Sequence, residues 1–237
     1  MSIPFFYCED IETASAQYVL NEENSKHVAQ VLRMQPGERL QLTDGQGNLY
    51  TASLTDSNKK RSVVGIIEKT SLPQPKRKTR MAVSPLKNMH RFEWFLEKAT
   101  EIGITEIVPL LCGRTEKQHI RADRLKAILV SAMLQSQQCW LPLLQEPTRY
   151  SAFVKDAANH QPSTKKFIAH CLADEPREAL ADKRPFDDAI IMIGPEGDFT
   201  IDEVELALQY DFLPVSLGDT RLRSETAAIV AVTILSR

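Results

Sequence analysis

Three short stretches of this 237-residue chain combine residue types suited to holding a ligand. The first, Gly194-Pro-Glu-Gly-Asp-Phe-Thr200, follows the apolar run Ala189–Ile193. Glycines let a ligand approach the backbone, and proline stiffens the turn. The second, Gly218-Asp-Thr-Arg-Leu-Arg-Ser-Glu-Thr-Ala227, follows Leu213–Leu217. Its Arg221 and Arg223 either present guanidinium forks to a phosphate or carboxylate, or simply pair with Glu225 at a helix end. The third, His170-Cys171-Leu172, closes the run that begins at Lys166. None of these is a GxGxxG or GxxxxGK[ST] pattern, which argues against a dinucleotide or nucleoside triphosphate. No serine sits in a GxSxG elbow, and the histidines at 27, 90, 119, 160 and 170 have no HExxH spacing. An α/β-hydrolase and a metalloprotease are therefore disfavoured. A ligand held by backbone groups and apolar contacts fits what remains.

All three stretches follow short apolar runs that read as strands, and they must be positioned by a sheet. Residues after Thr79 alternate strand and helix. Met81–Val83 is a strand, and the spacing predicts a helix from Asn88 to Ile102 with Phe92, Phe95, Leu96, Ala99 and Ile102 on one face. Asn88 caps its start and Gly103 ends it. Glu106–Leu111 is strand-like and Ala122–Cys139 helical. Lys166–His170, Ala189–Ile193 and Leu213–Leu217 are strands. Thr200-Ile-Asp-Glu203 is a capping box, and Ser224–Leu235 is a closing helix. The alternation implies an open, mostly parallel α/β sheet, whose ligands bind beyond the carboxyl ends of the strands. The first 70 residues instead carry short β-prone runs, Tyr50–Leu54 and Ser62–Ile67, between turn signals about ten residues apart, as in a small barrel or sandwich. Asn21–Arg33 is the helical exception. Leu72-Pro-Gln-Pro-Lys-Arg-Lys78 reads as an interdomain linker.

Hydrophobic residues at 43% supply a real core and exclude a mainly disordered chain. No apolar run is long enough to span a membrane, and Met1–Glu12 does not resemble a secretory signal. The cysteines at 8, 112, 139 and 171 are scattered and suit a reducing cytoplasm better than zinc or disulfides. Net charge is −2, but residues 59–98 hold eleven basic and three acidic side chains, net +8. That block is either a solvated linker or an electrostatic footprint for phosphates.

Taken together, these residues match a known family. Ile193-Gly-Pro-Glu-Gly197, then Leu217-Gly218, Leu222-Arg223 and Glu225-Thr226-Ala227, resemble the SPOUT methyltransferases. More narrowly the chain is similar to the RsmE family of 16S ribosomal RNA uridine N3-methyltransferases. His27-Val-Ala-Gln-Val-Leu-Arg33 with Gly37, and Lys87 with Glu97-Lys-Ala-Thr-Glu-Ile-Gly103, extend the resemblance over nearly the whole chain. It implies an α+β two-domain protein: an N-terminal PUA-like RNA-binding β-barrel (1–71), the linker (72–78) and a C-terminal α/β SPOUT domain with a trefoil knot (79–237). It further implies S-adenosyl-L-methionine as cofactor and a homodimer. The substrate would be one decoding-region uridine of 16S rRNA in the assembled 30S subunit, with no metal and no membrane involved.

Carried over residue by residue, the cofactor would meet His170, Cys171 and Leu172, then Ile193, Gly194, Pro195 and Gly197, then Leu217, Gly218, Arg221, Leu222 and Arg223. Uracil N3 must lose a proton for methylation, so the resemblance makes Arg223 the candidate for stabilising developing negative charge, with Glu196 and Glu225 as candidate bases. His27, Arg33, Lys87, Arg91 and Gln135 would contact RNA. One stretch departs from the family. Its usual Glu-Gln-Ser-x-Arg is here Leu134-Gln135-Ser136-Gln137-Gln138, so the acid and the arginine are replaced. Two alternatives stay open: a SPOUT enzyme with another target, either a 2′-O-ribose or a different base, and a catalytically degenerate RNA-binding protein.

Overall fold

The computed structural model describes residues 3–11, 16–159, 161, 163–172, 177–183 and 188–236; His160 lies outside them. The chain forms two compact units. The first comprises 1–74 together with 133–141, and the second comprises 75–132 and 142–237.

In the first unit, β1 (Phe5–Tyr7), β2 (Gln17–Val19), β3 (Arg39–Thr43), β4 (Asn48–Asp56) and β5 (Val63–Ser71) form one sheet in the order β1-β3-β4-β5-β2. Alternation decides which face is buried: Leu40 and Leu42 of β3, and Tyr50, Ala52 and Leu54 of β4, point into the core. Two register shifts in β4, at Thr51/Ala52 and Leu54/Asp56, bend the sheet over that core. The expected helix of Asn21–Arg33 is α1 (Glu22–Lys26), capped by Asn21, running into a π-helical turn, His27–Val31. Segment 133–141 joins this unit through Gly47, whose amide donates to the Cys139 carbonyl.

The second unit contains β6 (Thr79–Val83), α2 (Met89–Ile102), β7 (Glu106–Leu111), α3 (Ala122–Gln135, except its last three residues, which fall in the first unit), β8 (Leu143–Leu144), β9 (Thr148–Arg149) and α4 (Tyr150–Ala157). These are followed by β10 (Lys165–Ala169), β11 (Glu178–Ala179), β12 (Ala189–Ile193), α5 (Ile201–Gln209), β13 (Leu213–Ser216) and α6 (Ser224–Leu235). Its sheet is wholly parallel, in the order β11-β13-β10-β12-β6-β7-β8, with β9 also on β7. Every residue of β12 is buried, as expected where helices cover both faces. One face packs Phe153, Val154, Val204 and Phe212 against Val108, Ile168 and Met192. On the other, α2 and α6 pack together and α6 lies on β6 and β12. Asn88 caps α2 and Gly103, at φ +101°, ends it.

Two expectations are corrected. The helix begun at Ala122 stops at Gln135 rather than Cys139, and Gln137 is left-handed (φ +55°). Two strands end one residue early, leaving His170 and Leu217 in the loops. No described helix is long and apolar enough to cross a membrane.

Candidate active site

Register brings the three sequence stretches together. Ala169 at the end of β10 pairs with Ile193 of β12 on one side and Val215 of β13 on the other. Adjacent strands lie about 4.8 Å apart, so the loops leaving them start side by side. The ladder continues past β12, where the Ser84 amide donates to the Ile193 carbonyl at 3.0 Å.

The loop after β12 is held by its own polar groups. Asp198, in the left-handed region at φ +64°, accepts the Phe199 amide on one oxygen (2.8 Å) and the Cys171 amide on the other (2.7 Å). One carboxylate thus ties two of the three loops. A Cβ on Gly194 would sit 3.2–3.3 Å from the Phe199 ring and amide, so glycine lets the turn close. The Arg114 guanidinium donates to the Gly197 carbonyl at 2.6 Å. Thr200 and Glu203 form the expected capping box, anchoring the loop to α5. In the loop after β10, the Leu172 amide donates to His170 Nδ1 at 3.3 Å and the Arg177 guanidinium donates to the His170 carbonyl.

Two adjoining cavities result. The larger, about 490 Å³, is lined by Ile193, Gly194 and Pro195 and carries a wall of charge: Arg91, Glu196, Asp198, Arg221, Arg223 and Glu225. The smaller, about 310 Å³, is lined by His170, Arg177, Val215, Leu217 and Gly218. Ala169, Cys171, Arg221, Leu222 and Ala227 line both. Both volumes lie within the usual range for small-molecule sites.

The charged wall is ordered. Glu225, in the first turn of α6, is only 8% exposed, and its Oε1 lies 3.7 Å from Arg91 Nε. Its Oε2 is buried without a hydrogen-bond partner. The anticipated pairing of Glu225 with a neighbouring arginine is thus replaced, among the described residues, by a pair with Arg91 from α2. Arg223 is exposed and precedes α6 as its N-cap, with no side-chain capping bond. Glu196 is exposed, and one of its oxygens accepts the Lys87 amide at 3.1 Å. The Lys87 ammonium pairs with Glu116 at 3.0 Å, and that hydrogen bond raises its pKa.

Of the residues singled out from sequence, Leu172 packs on the apolar core and Gly197 against Arg114 rather than lining either cavity. Among the candidate RNA contacts, Arg91 lines the larger cavity and Lys87 adjoins it through Glu196. His27, Arg33 and Gln135 belong to the first unit, all exposed. Asp198, Arg177 and Arg114 were missed. Asp198 follows Gly197 in a turn and carried a signal; the two arginines carried none.

A parallel sheet with a double cavity at adjacent strand ends, joined in one chain to a small β-rich unit, defines a class. Residues 73–236 match the RNA methyltransferase domain family, and residues 20–67 match the RNA methyltransferase PUA domain family. The "ribosomal RNA small subunit methyltransferase E" of Synechocystis sp. is 30% identical over 223 residues, 92% of this chain and 72% of that one. A crystal structure of a probable rRNA-methyltransferase from Porphyromonas gingivalis superposes with TM-score 0.89 at 37% identity, covering 97% of this chain and 95% of that one. The ribosomal RNA small subunit methyltransferase E of Neisseria gonorrhoeae, bound to S-adenosyl methionine, gives TM-score 0.84 at 27% identity over 98% and 95%. The chain belongs to the ribosomal RNA small subunit methyltransferase E family.

Proposed function

We propose that the protein transfers a methyl group from S-adenosyl-L-methionine to N3 of a decoding-region uridine of 16S rRNA, within the assembled 30S subunit. The observation that carries this reading is the in-register convergence of the three strand-end loops on a two-lobed cavity. The residues present fit the cofactor. Val215, Leu217 and Leu222 offer apolar walls for a purine, and Gly218, at φ +138°, opens the backbone beside them. The acids of the larger lobe suit a ligand carrying a sulfonium and an ammonium, and its arginines suit a carboxylate. The cofactor supplies a methyl group on a sulfonium whose departure as a thioether needs no metal.

In this reading His170, Cys171, Ile193 to Pro195, Leu217, Gly218 and Arg221 to Arg223 surround the cofactor, Gly197 shapes the loop behind them, and the uracil enters the larger lobe. Glu196 is the carboxylate with solvent access there and takes the N3 proton. Arg223 faces the uracil as negative charge develops on it. Glu225, buried and joined to Arg91, is better placed to hold that guanidinium than to reach a base. The β-rich unit acts as a PUA-like RNA-binding barrel with His27, Arg33 and Gln135 as RNA contacts, and Lys87 and Arg91 of the second unit contact RNA at the site. Strand β10, inserted between β12 and β13, which follow it in sequence, suits the trefoil knot that the resemblance implies. The proposed working form is a cytoplasmic homodimer.

Incubating the protein with methyl-labelled S-adenosylmethionine and small subunits lacking the modification, then mapping the product nucleoside, tests the reading. Labelled N3-methyluridine at one position is the expected result. A ribose-methylated product, or none despite cofactor binding, overturns it.

A further inference from the structure

The first unit presents an apolar tip ringed by cations. In the turn His27–Val31 the Leu32 amide donates to the His27 carbonyl, five residues back, at 2.9 Å. This wider π-type turn is uncommon and recurs at functional sites. It leaves Val31 66% and Leu32 41% exposed, while Val28 beneath them is fully buried. Arg33 follows in the left-handed region at φ +53° and is itself exposed. A β-branched and a γ-branched residue thus stand side by side at the surface, outside the buried cluster of the unit.

The β4–β5 loop is fastened to the same end. The Ser62 amide donates to Ser25 Oγ at 2.9 Å, and Ser57 Oγ donates to the Met34 carbonyl at 3.1 Å. Those two bonds bracket the turn and bring exposed Lys59, Lys60 and Arg61 to the end that carries Lys26 and Arg33. None of these five cations forms an ion pair among the described residues. The local acids are Glu22 and Glu23 in the first turn of α1, Asp56 at the end of β4, and Glu38, whose carboxylate accepts the Gln35 amide. An apolar tip within unpaired cations complements a polyanion that also offers apolar faces, which is the chemistry of RNA with unstacked bases.

We propose that the Val31–Leu32 tip is a wedge that packs against unstacked bases of the ribosomal RNA, while Arg33 and the Lys59–Arg61 loop hold the flanking phosphates. The assignment rests on the RNA-directed reading above, and it specifies which face of the first unit makes the contact. Apolar wedges of this kind order or kink a nucleic acid strand that basic side chains have already gathered.

Binding of the full-length protein to small ribosomal subunits, and to protein-free 16S rRNA, tests it between 50 and 200 mM salt. Val31→Ser/Leu32→Ser is expected to weaken both by about ten-fold with an unchanged salt slope. Lys59→Ala/Lys60→Ala/Arg61→Ala is expected to lower the salt slope by about 2, at roughly 0.7 per lost phosphate contact. Ile67→Ser, an equally exposed apolar position on β5, should change neither. Circular dichroism and unchanged cofactor-binding heat confirm that the variants are folded. A Val31/Leu32 variant within two-fold of wild type, or one no weaker than Ile67→Ser, overturns the wedge. Loss towards subunits alone, with naked rRNA unaffected, reassigns the face to a ribosomal protein and overturns it as well. Failure of the wild-type protein to bind either RNA instead removes the functional reading itself.

Discussion

Replacing Glu225 by glutamine should leave the protein as stable as before, or more so, while methylation falls. Two opposed terms set the stability. The Arg91–Glu225 pair spans 3.7 Å, but the Arg91 side chain is 40% exposed, so solvent screening holds its contribution to about 0.5–1 kcal/mol. Against this, Glu225 Oε2 is buried without a donor, which costs about 1–3 kcal/mol. Glutamine keeps the shape and one oxygen for Arg91, and puts a neutral amide nitrogen where the unpaired charged oxygen was, so part of the burial cost remains. The net change is a gain of about 0–1 kcal/mol, a rise of roughly 0–4 °C in the melting temperature of a unit this size. Removing the other partner has the opposite sign. Arg91→Met loses that screened pairing and leaves the carboxylate alone, so it should cost about 0.5–1 kcal/mol. With Glu225→Gln, Arg91 loses the anion that orients it, and a misplaced site group costs about 100-fold in rate. Thermal unfolding of both variants, with single-turnover methylation of small subunits, reads all three numbers. If Glu225→Gln melts more than about 4 °C below wild type, or Arg91→Met is the milder change, the carboxylate is a structural anchor and the reasoning fails.

Arg223→Ala should change stability by less than about 0.5 kcal/mol, because the exposed side chain makes no capping bond, yet lower methylation about 100-fold; near-normal turnover would remove it from the mechanism. A thiol reagent at pH 8 should label one cysteine per chain quickly, since Cys8, Cys112 and Cys139 are buried and burial raises their pKa values, that of Cys8 to about 12. That cysteine is Cys171, which lines both cavities, so S-adenosylmethionine should slow its labelling at least several-fold; labelling indifferent to the cofactor would place the ligand elsewhere. Gly47→Ala should destabilise the first unit by about 2–4 kcal/mol, read by denaturant unfolding. Its φ is +86°, and a Cβ there would lie 2.2 Å from the Trp140 ring; a change under 1 kcal/mol would show that segment 133–141 packs otherwise.

The second unit was legible where pattern and length agreed. Phe92, Phe95, Leu96 and Ala99 at helical spacing announced α2, and the uninterrupted apolar run of β12 announced a strand covered on both faces. Strands β8, β9 and β11 have two residues each, too few for any period to register. Helix α4 was passed over although Tyr150, Phe153, Val154 and Ala157 are its buried side; eight residues without a capping side chain give little warning. The early stop of α3 has a different cause. Four polar residues follow Leu134, and Cys139 beyond them is buried at the β3–β4 turn of the first unit, where Thr43 Oγ1 donates to the Cys139 carbonyl. Tertiary packing there overrides helical continuation. The stretch Leu134–Gln138 spans this stop, and the Gln138 amide donates to Ser136 Oγ at 2.9 Å.

The site was legible in part for a physical reason. A loop announces itself when the backbone must do something unusual, and glycine and proline record that demand at Gly194, Pro195 and Gly218. A side chain that acts through a partner from another element leaves no such record. Glu225 stands beside Arg223 in sequence, and local reasoning pairs them; the fold gives it to Arg91, because α2 and α6 pack against each other on one face of the sheet. The consequence reaches the chemistry. With Arg91 holding Glu225, Arg223 pairs with no acid among the described residues and stands at the start of α6, where the helix dipole adds to its charge. An uncommitted cation beside a cavity that also holds an exposed carboxylate, Glu196, can meet an anion that forms only as a proton leaves. A tightly paired Arg223 could not, since separating an existing pair would cost what the new contact returned.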